Sequence, residues 1–314
     1  PAGTFVAGPT YNGILFIVYQ NLLYFSLAKQ PDYWPATYYI EVSQPQFPGQ
    51  CLIFHNGAPH YLTKNKIYYI QGTTPTTFYP IPQDSITGAQ GPMGAISVKG
   101  KGIFHVGADG VYLFSGTDKN VTDEAFKPIF QGQTVNGMPA VGDLANSWLK
   151  QFRNKIYFGY PGVSDTYPKN IIVTNLDTNK SVYYTYNLEI RCLGHDITND
   201  RLLAGDSDGY IWEIEDQDAT ADDTTAIEWE VESKAFHLQT RRHFPRYVKY
   251  DVDASSADSA SGSVVLDGTV HHTHTLTGLN RDTKYRHVNT GNGKTASIRI
   301  SGEGPVTIYA TEME

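Results

Sequence analysis

The chain has 314 residues, 40% hydrophobic and only 18% charged, which is enough apolar material for one large core or two ordinary ones. Gly 29, Pro 17 and Tyr 22 against Met 3 make a composition of strands and turns, which excludes disordered, collagenous and coiled-coil chains. A net charge of −8 makes the surface as a whole repel phosphate, so binding to nucleic acid would need a local basic patch.

The sequence opens at Pro1 with no charged stretch leading into an apolar one, which predicts a trimmed or processed N-terminus rather than a leader. Its longest apolar run, Ile14–Tyr19, falls far short of the roughly 20 residues of a spanning helix, so no membrane span is expected. Short runs of β-branched and aromatic residues bounded by Gly, Asn, Asp or Pro then follow one another. They are Ile14–Val18, Leu22–Ser26, Cys51–His55, Lys66–Ile70, Ile96–Val98, Gly102–Val106, Val111–Phe114, Lys155–Gly159, Ile171–Asn175, Val182–Tyr186, Leu202–Ala204 and Tyr210–Ile214. Only Asp143–Phe152 shows helical spacing. The fold class predicted is all-β.

A polar turn followed by an apolar strand recurs at Asn12, Lys66, Lys101, Asn154 and Asp200, and Asn-Lys-Ile-Tyr occurs at both 65 and 154. The Asp-Gly pairs 109–110 and 208–209 lie 99 residues apart and suggest type I′ hairpins. A period of about 45–50 residues with three or four strands per unit reads as a degenerate β-propeller of about five units over residues 1–215; a large sandwich with similar hairpins is the alternative. Residues 216–226 read as an acidic linker, because Glu213–Glu232 holds nine acids and no base. Residues 227–314 alternate like half-exposed strands and suggest a small C-terminal β-sandwich, with Ala254–Gly262 as a flexible loop inside it.

Motifs for chemistry are sparse. A serine hydrolase would carry Gly-x-Ser-x-Gly at a strand-to-helix turn, and no such turn is expected; His-Glu-x-x-His is absent. No cofactor or metal motif is present, and the motifs carry no signal for catalysis, although two carboxylates of a glycosidase would leave no trace in such a sequence. His272 and His274 share one face of a strand and would need a third ligand to hold zinc or copper; a solvated hairpin is the plainer reading. Cys51 and Cys192, in no Cys-x-x-Cys array, read as buried small hydrophobes. Tyr33, Trp34, Tyr38, Tyr39, Tyr183, Tyr184 and Tyr186 are candidates for a sugar-stacking platform or for packing.

The sharpest charge asymmetry sets Asp216, Asp218, Asp222 and Asp223 of the acidic block beside Ser233–Tyr250, which carries Lys234, Arg241, Arg242, Arg246 and Lys249 and no acid. These two blocks are the candidate interface residues, pairing between neighbouring subunits or touching passing phosphates; two oppositely charged faces of a solvated loop and strand are the plainer alternative.

Taken in order, several phrases resemble tail proteins of short-tailed bacteriophages. They are Leu23-Tyr-Phe-Ser-Leu-Ala-Lys-Gln-Pro-Asp-Tyr-Trp-Pro-Ala-Thr-Tyr-Tyr-Ile-Glu-Val, then Cys51-Leu-Ile-Phe-His-Asn and Asn65-Lys-Ile-Tyr-Tyr-Ile-Gln-Gly. Gly100–Gly116, Asn175–Tyr184 and Leu203–Ile214 continue the order, which spans roughly residues 20–250. The family is the tail nozzle, or tubular stabilisation, β-propeller protein. The resemblance implies a non-enzymatic virion subunit, a homo-oligomeric ring of about six copies around the DNA channel, contacting other tail or head-completion proteins without reading DNA sequence. The chain is shorter than such nozzle proteins and lacks an evident platform domain. A carbohydrate-binding or glycoside-cleaving propeller is the alternative from another class.

Overall fold

A computed structural model describes residues 6–7, 11–135, 137–215, 221–222, 225–226, 228–237, 247–287 and 293–313. The protein is all-β, and it divides into two compact units, residues 1–215 and 216–314.

The first unit is a series of antiparallel meanders, each strand pairing with the one before it in the chain. The first sheet comprises β1 (Val6–Ala7), β2 (Phe16–Tyr19), β3 (Leu22–Phe25) and β4 (Tyr39–Glu41). The second comprises β5 (Gly49–His55), β6 (Ala58–Thr63), β7 (Ile67–Gln71) and β8 (Tyr79–Pro82). The third comprises β9 (Ala95–Val98), β10 (Gly102–Gly107), β11 (Gly110–Phe114) and β12 (Asp118–Asn120). The fourth comprises β13 (Trp148–Phe152), β14 (Lys155–Tyr160), β15 (Asn170–Asn175) and β16 (Ser181–Thr185). The fifth has three strands, β17 (Ile190–Asp196), β18 (Arg201–Asp206) and β19 (Ile211–Ile214).

Each sheet buries side chains against the next. Phe16, Phe25, Tyr61 and Ile70 join the first to the second, and Cys51, Leu62, Ile103 and Phe114 the second to the third. Phe104, Val106, Phe158 and Ile172 join the third to the fourth, and Trp148, Tyr157, Leu202 and Ile214 the fourth to the fifth. Inner strands covered on both faces therefore read as apolar runs rather than as clean alternation.

That double burial explains the failed helix over Asp143–Phe152. Asp143 accepts the Ala145 N–H and caps a single 3-10 turn, Leu144–Asn146, after which the chain enters β13. Trp148 and Phe152 face the fifth sheet while Leu149 faces the third, so a two-faced strand mimics helical spacing.

The turns also differ from expectation. Asn12-Gly13, Asn56-Gly57 and Asp267-Gly268 have the paired positive φ angles of type I′ hairpins. At 109–110 and 208–209 only the glycine has positive φ, and the second turn is instead held by Asp206, whose Oδ1 accepts the N–H groups of Asp208 and Tyr210. The repeated Asn-Lys-Ile-Tyr leads into the third strand of its sheet at β7 but the second at β14, so identical letters occupy different places.

In the second unit, β20 (Ala221–Asp222) and β21 (Thr225–Ala226) pair within the stretch read as a linker. One sheet runs β22 (Glu228–Glu232), β28 (Thr295–Glu303), β25 (Ser259–Leu266), β26 (Thr269–Thr275), with β23 (Phe236–His237) also on β28. The other runs β27 (Asp282–His287), β24 (Tyr247–Asp253), β29 (Thr307–Met313). Val248, Tyr250 and Val252 of one meet Val264, Leu266 and Ile298 of the other in a single core. Much of Ala254–Gly262 is therefore ordered: Ala254 and Ala260 belong to that core and β25 starts at Ser259.

Candidate functional site

The predicted charged interface lies only partly within the described residues. Lys234 is exposed between β22 and β23, and Asp222 lies in β20. Asp216, Asp218, Asp223, Arg241, Arg242 and Arg246 fall outside the described residues. The aromatic candidates do not form one platform. Tyr33 and Tyr39 belong to the first-sheet region, while Tyr38 leans on its core ring Phe25 at 5.6 Å. On β16, Tyr183 turns to the third-sheet side and donates to Asn170 Oδ1 at 2.7 Å, and Tyr184 turns to the opposite side. Cys51 is buried, with its thiol pushed up to about 12 by burial; Cys192 is exposed, because the ladder shifts register between Ile190 and Cys192. His272 and His274 do share a face, with ring centroids 4.5 Å apart. Among the described residues no group of three His, Cys, Asp or Glu side chains could hold a metal ion.

Sequence reading passed over one spelling of Gly-x-Ser-x-Gly, Gly205-Asp-Ser-Asp-Gly209. It occupies the β18–β19 hairpin, a strand-to-strand turn, and the Ser207 N–H donates to the Glu189 carbonyl. It is not a nucleophile elbow.

The structure brings other residues together at the flank between the fourth and fifth sheets. Lys155 opens β14 and reaches Glu215, just after β19, at 2.8 Å. Burial pushes the Tyr157 hydroxyl pKa up, and the Glu215 carboxylate beside it pushes the same way. Tyr184 is raised by burial and by Glu215, with Lys155 opposing. Arg153 Nε and His195 Nε2 converge on Asp200 at 2.9 and 3.1 Å, and the Arg153 bond holds that carboxyl below its usual range. Beyond these ties the flank opens: Val182 is 49% exposed, Tyr184 38%, Tyr210 66% and Ile211 74%. These side chains form an exposed apolar stretch beside the ion pairs.

A second concavity, about 640 Å³, lies on the sheet of β22, β28, β25 and β26. Glu230, Ser301, Ser261 and Thr275 stand opposite one another across its four strands, with Trp229, Glu228 and Glu303 beside them. A third cleft, about 430 Å³, is apolar and lies between the third and fourth sheets under Phe126 and Phe130, with Lys101 and Lys119 in its lining.

Serial meanders of three or four strands, followed by a second unit with two main sheets around one core, define the architectural class. No family model matches the chain, and no curated protein matches it. Solved structures resemble it only distantly. PorZ, a bacterial surface component of the type-IX secretion system of Porphyromonas gingivalis, matches at 10% identity and TM-score 0.40 over 67% of this chain and 24% of that one. Dihydro-heme d1 dehydrogenase NirN matches at 11% identity and TM-score 0.45 over 67% of this chain and 45% of that one. The computationally designed Ika4 protein matches at 13% identity and TM-score 0.35 over 55% and 93%. The chain thus spans about a quarter of the length of PorZ and under half that of NirN.

Proposed function

We propose that the chain is a structural subunit of a short-tailed bacteriophage tail: a propeller-like first unit and a β-sandwich second unit, assembled as a ring of about six copies around the DNA channel and working through protein–protein contacts. One observation carries the reading. The phrases that resemble nozzle proteins fall, in order, on successive sheets: Leu23–Val42 on the first, Cys51–Gly72 on the second, Gly100–Gly116 on the third, and Asn175–Ile214 from the fourth into the fifth. Rigid meanders with large apolar side chains left on their flanks suit repeated assembly, and a net charge of −8 suits a wall past which DNA slides without sticking.

The test is molar mass by light scattering, alone and after mixing with tail fractions from the same source. A ring, or a monomer that becomes particle-bound, supports the reading; a monomer that ignores those fractions overturns it. The polar concavity with Glu228, Glu230 and Glu303 favours a second reading, carbohydrate binding, because rows of hydroxyls beside carboxylates match a sugar's hydroxyl edges. A glycan array tests it, with Glu230→Ala as the control.

A further inference from the structure

The connection from β12 to β13, residues 121–147, is the longest between successive sheets of the first unit. Connections of that length inside a compact unit usually serve binding. This one carries Phe126 and Phe130 over the apolar cleft between the third and fourth sheets, where Phe130 stacks on Phe158 of β14 at 5.8 Å between ring centroids.

Strand register gives the cleft two unlike ends. On the third sheet, Phe104, Leu113 and Lys119 stand opposite one another across β10, β11 and β12, so all three leave the same face. Val106 and Val111 form the next row, which Val121 extends by donating its N–H to the Val111 carbonyl. On the fourth sheet, one row on the cleft face is Ile156, Thr174 and Ser181, and the next holds Phe158 and Ile172. Lys101 Nζ donates to the Leu176 carbonyl, just past β15, at 2.6 Å, which sets the lysine row of one sheet beside the hydroxyl row of the other. Phenyl rings therefore close one end, and two ammonium groups with two hydroxyls line the other. Asp123 belongs to the phenyl end, where its carboxylate accepts the Ala125 N–H at 3.1 Å.

The space between these ends is not filled by the chain's own side chains. Val111, Leu113, Val121 and Phe130 pack against the shared core yet stay half-buried. Apolar atoms that face a gap forgo dispersion contacts, and an apolar occupant would restore them. A volume of about 430 Å³, mostly apolar with a few placed polar groups, is that of a small-molecule site. Charge then selects the occupant's head. Lys119 makes no ion pair among the described residues, and Lys101 is held only by a neutral carbonyl, so both charges are left for an anion.

We infer that this cleft binds a small amphiphilic anion, an alkyl carboxylate of medium length. Its tail lies between the valine and isoleucine rows and ends against the phenyl rings, and its carboxylate sits between Lys101 and Lys119.

Isothermal titration of the full chain with decanoate tests this, against decyltrimethylammonium, which keeps the tail and reverses the head. The wild type is expected to bind one decanoate per chain and the cation about tenfold more weakly or less. Lys119→Glu, a change at an exposed position, should weaken decanoate about tenfold and remove the preference for the anion, because it turns an attraction at the mouth into a repulsion. Leu113→Trp fills the cleft and should abolish binding of both, with circular dichroism to check that it is folded; should it not fold, Lys119→Glu alone locates the site. Four results overturn the inference: no saturable decanoate binding up to about 1 mM, equal affinity for the two heads, a Lys119→Glu chain that binds decanoate like wild type, or a folded Leu113→Trp chain that does so. The ring reading is untouched by any of them and keeps its own mixing test.

Discussion

His105 and Asp118 are sealed from solvent within the third sheet, with His105 Nε2 3.0 Å from Asp118 Oδ1 and Nδ1 3.0 Å from the Gly88 carbonyl. The other carboxylate oxygen accepts the N–H groups of Ile86 and Thr87, at 2.7 and 3.1 Å, so the pair ties the entry loop to β10 and β12. A buried pair of this kind is costly to break rather than strongly stabilising, because the partner left behind keeps its desolvation penalty. His105→Ala should therefore lower urea stability of the first unit by about 3–5 kcal/mol. A loss below about 1 kcal/mol would mean that water reaches Asp118. The sequence gives no hint of this bond, since thirteen positions separate the two residues and only the three-strand ladder β10–β11–β12 brings them together.

Between elements, Trp148 joins the fourth and fifth sheets both by packing and by a hydrogen bond. Trp148 on β13 is buried, donates its Nε1 hydrogen to the Ile190 carbonyl of β17 at 2.9 Å, and stands opposite Gly159 on β14. A Cβ at position 159 would come within 2.3 Å of the indole. Trp148→Ala should cost about 3–5 kcal/mol and Gly159→Ala about 1–3 kcal/mol, both read as shifted urea midpoints; a neutral Gly159→Ala would show that the ring can move. The β5–β6 hairpin carries a pH dependence. Burial lowers the pKa of His55 and of His60 from 6.5; for His60 the Ala58 carbonyl opposes the shift and His55 adds to it. Between those lowered values and 6.5 the unfolded chain binds more protons, so stability falls as pH drops through that window and levels off below it. His60→Gln should shrink the difference in urea midpoint between mildly acidic and neutral pH; an unchanged difference would remove His60 as its source. Strands were legible here because β-branched and aromatic runs are punctuated by turn residues. Strand order within a sheet was not, as the two Asn-Lys-Ile-Tyr copies show, because a covered strand reads the same in second or third place.

At the scale of the whole molecule, the cores do not mix. Every member of the second unit's core lies between Trp229 and Met313, and the cores of the first unit draw on residues up to Ile214. The change of character at the acidic block, from apolar runs to alternation, reflects this: the second, third and fourth sheets of the first unit are covered by neighbours on both sides, while each main sheet of the second unit has one face on the core. Among the described residues each buried cluster belongs to one unit, so each unit is expected to unfold as its own cooperative body. Val264→Asp places a carboxylate where Val264 is wholly buried among Val248, Val252 and Ile298, with no cation among the buried residues described in that core. Burying an unpaired charge ranks among the most damaging single changes, and the second unit should lose more than about 3 kcal/mol. Calorimetry of the full chain is expected to show two transitions, of which the variant lowers or abolishes one and leaves the other in place. Hydrogen exchange would assign the surviving transition to residues 11–215. If both transitions moved together, or if the wild type showed only one, the two cores would be folding as a single cooperative body, and contacts between the units would have to supply the coupling that their separate clusters lack.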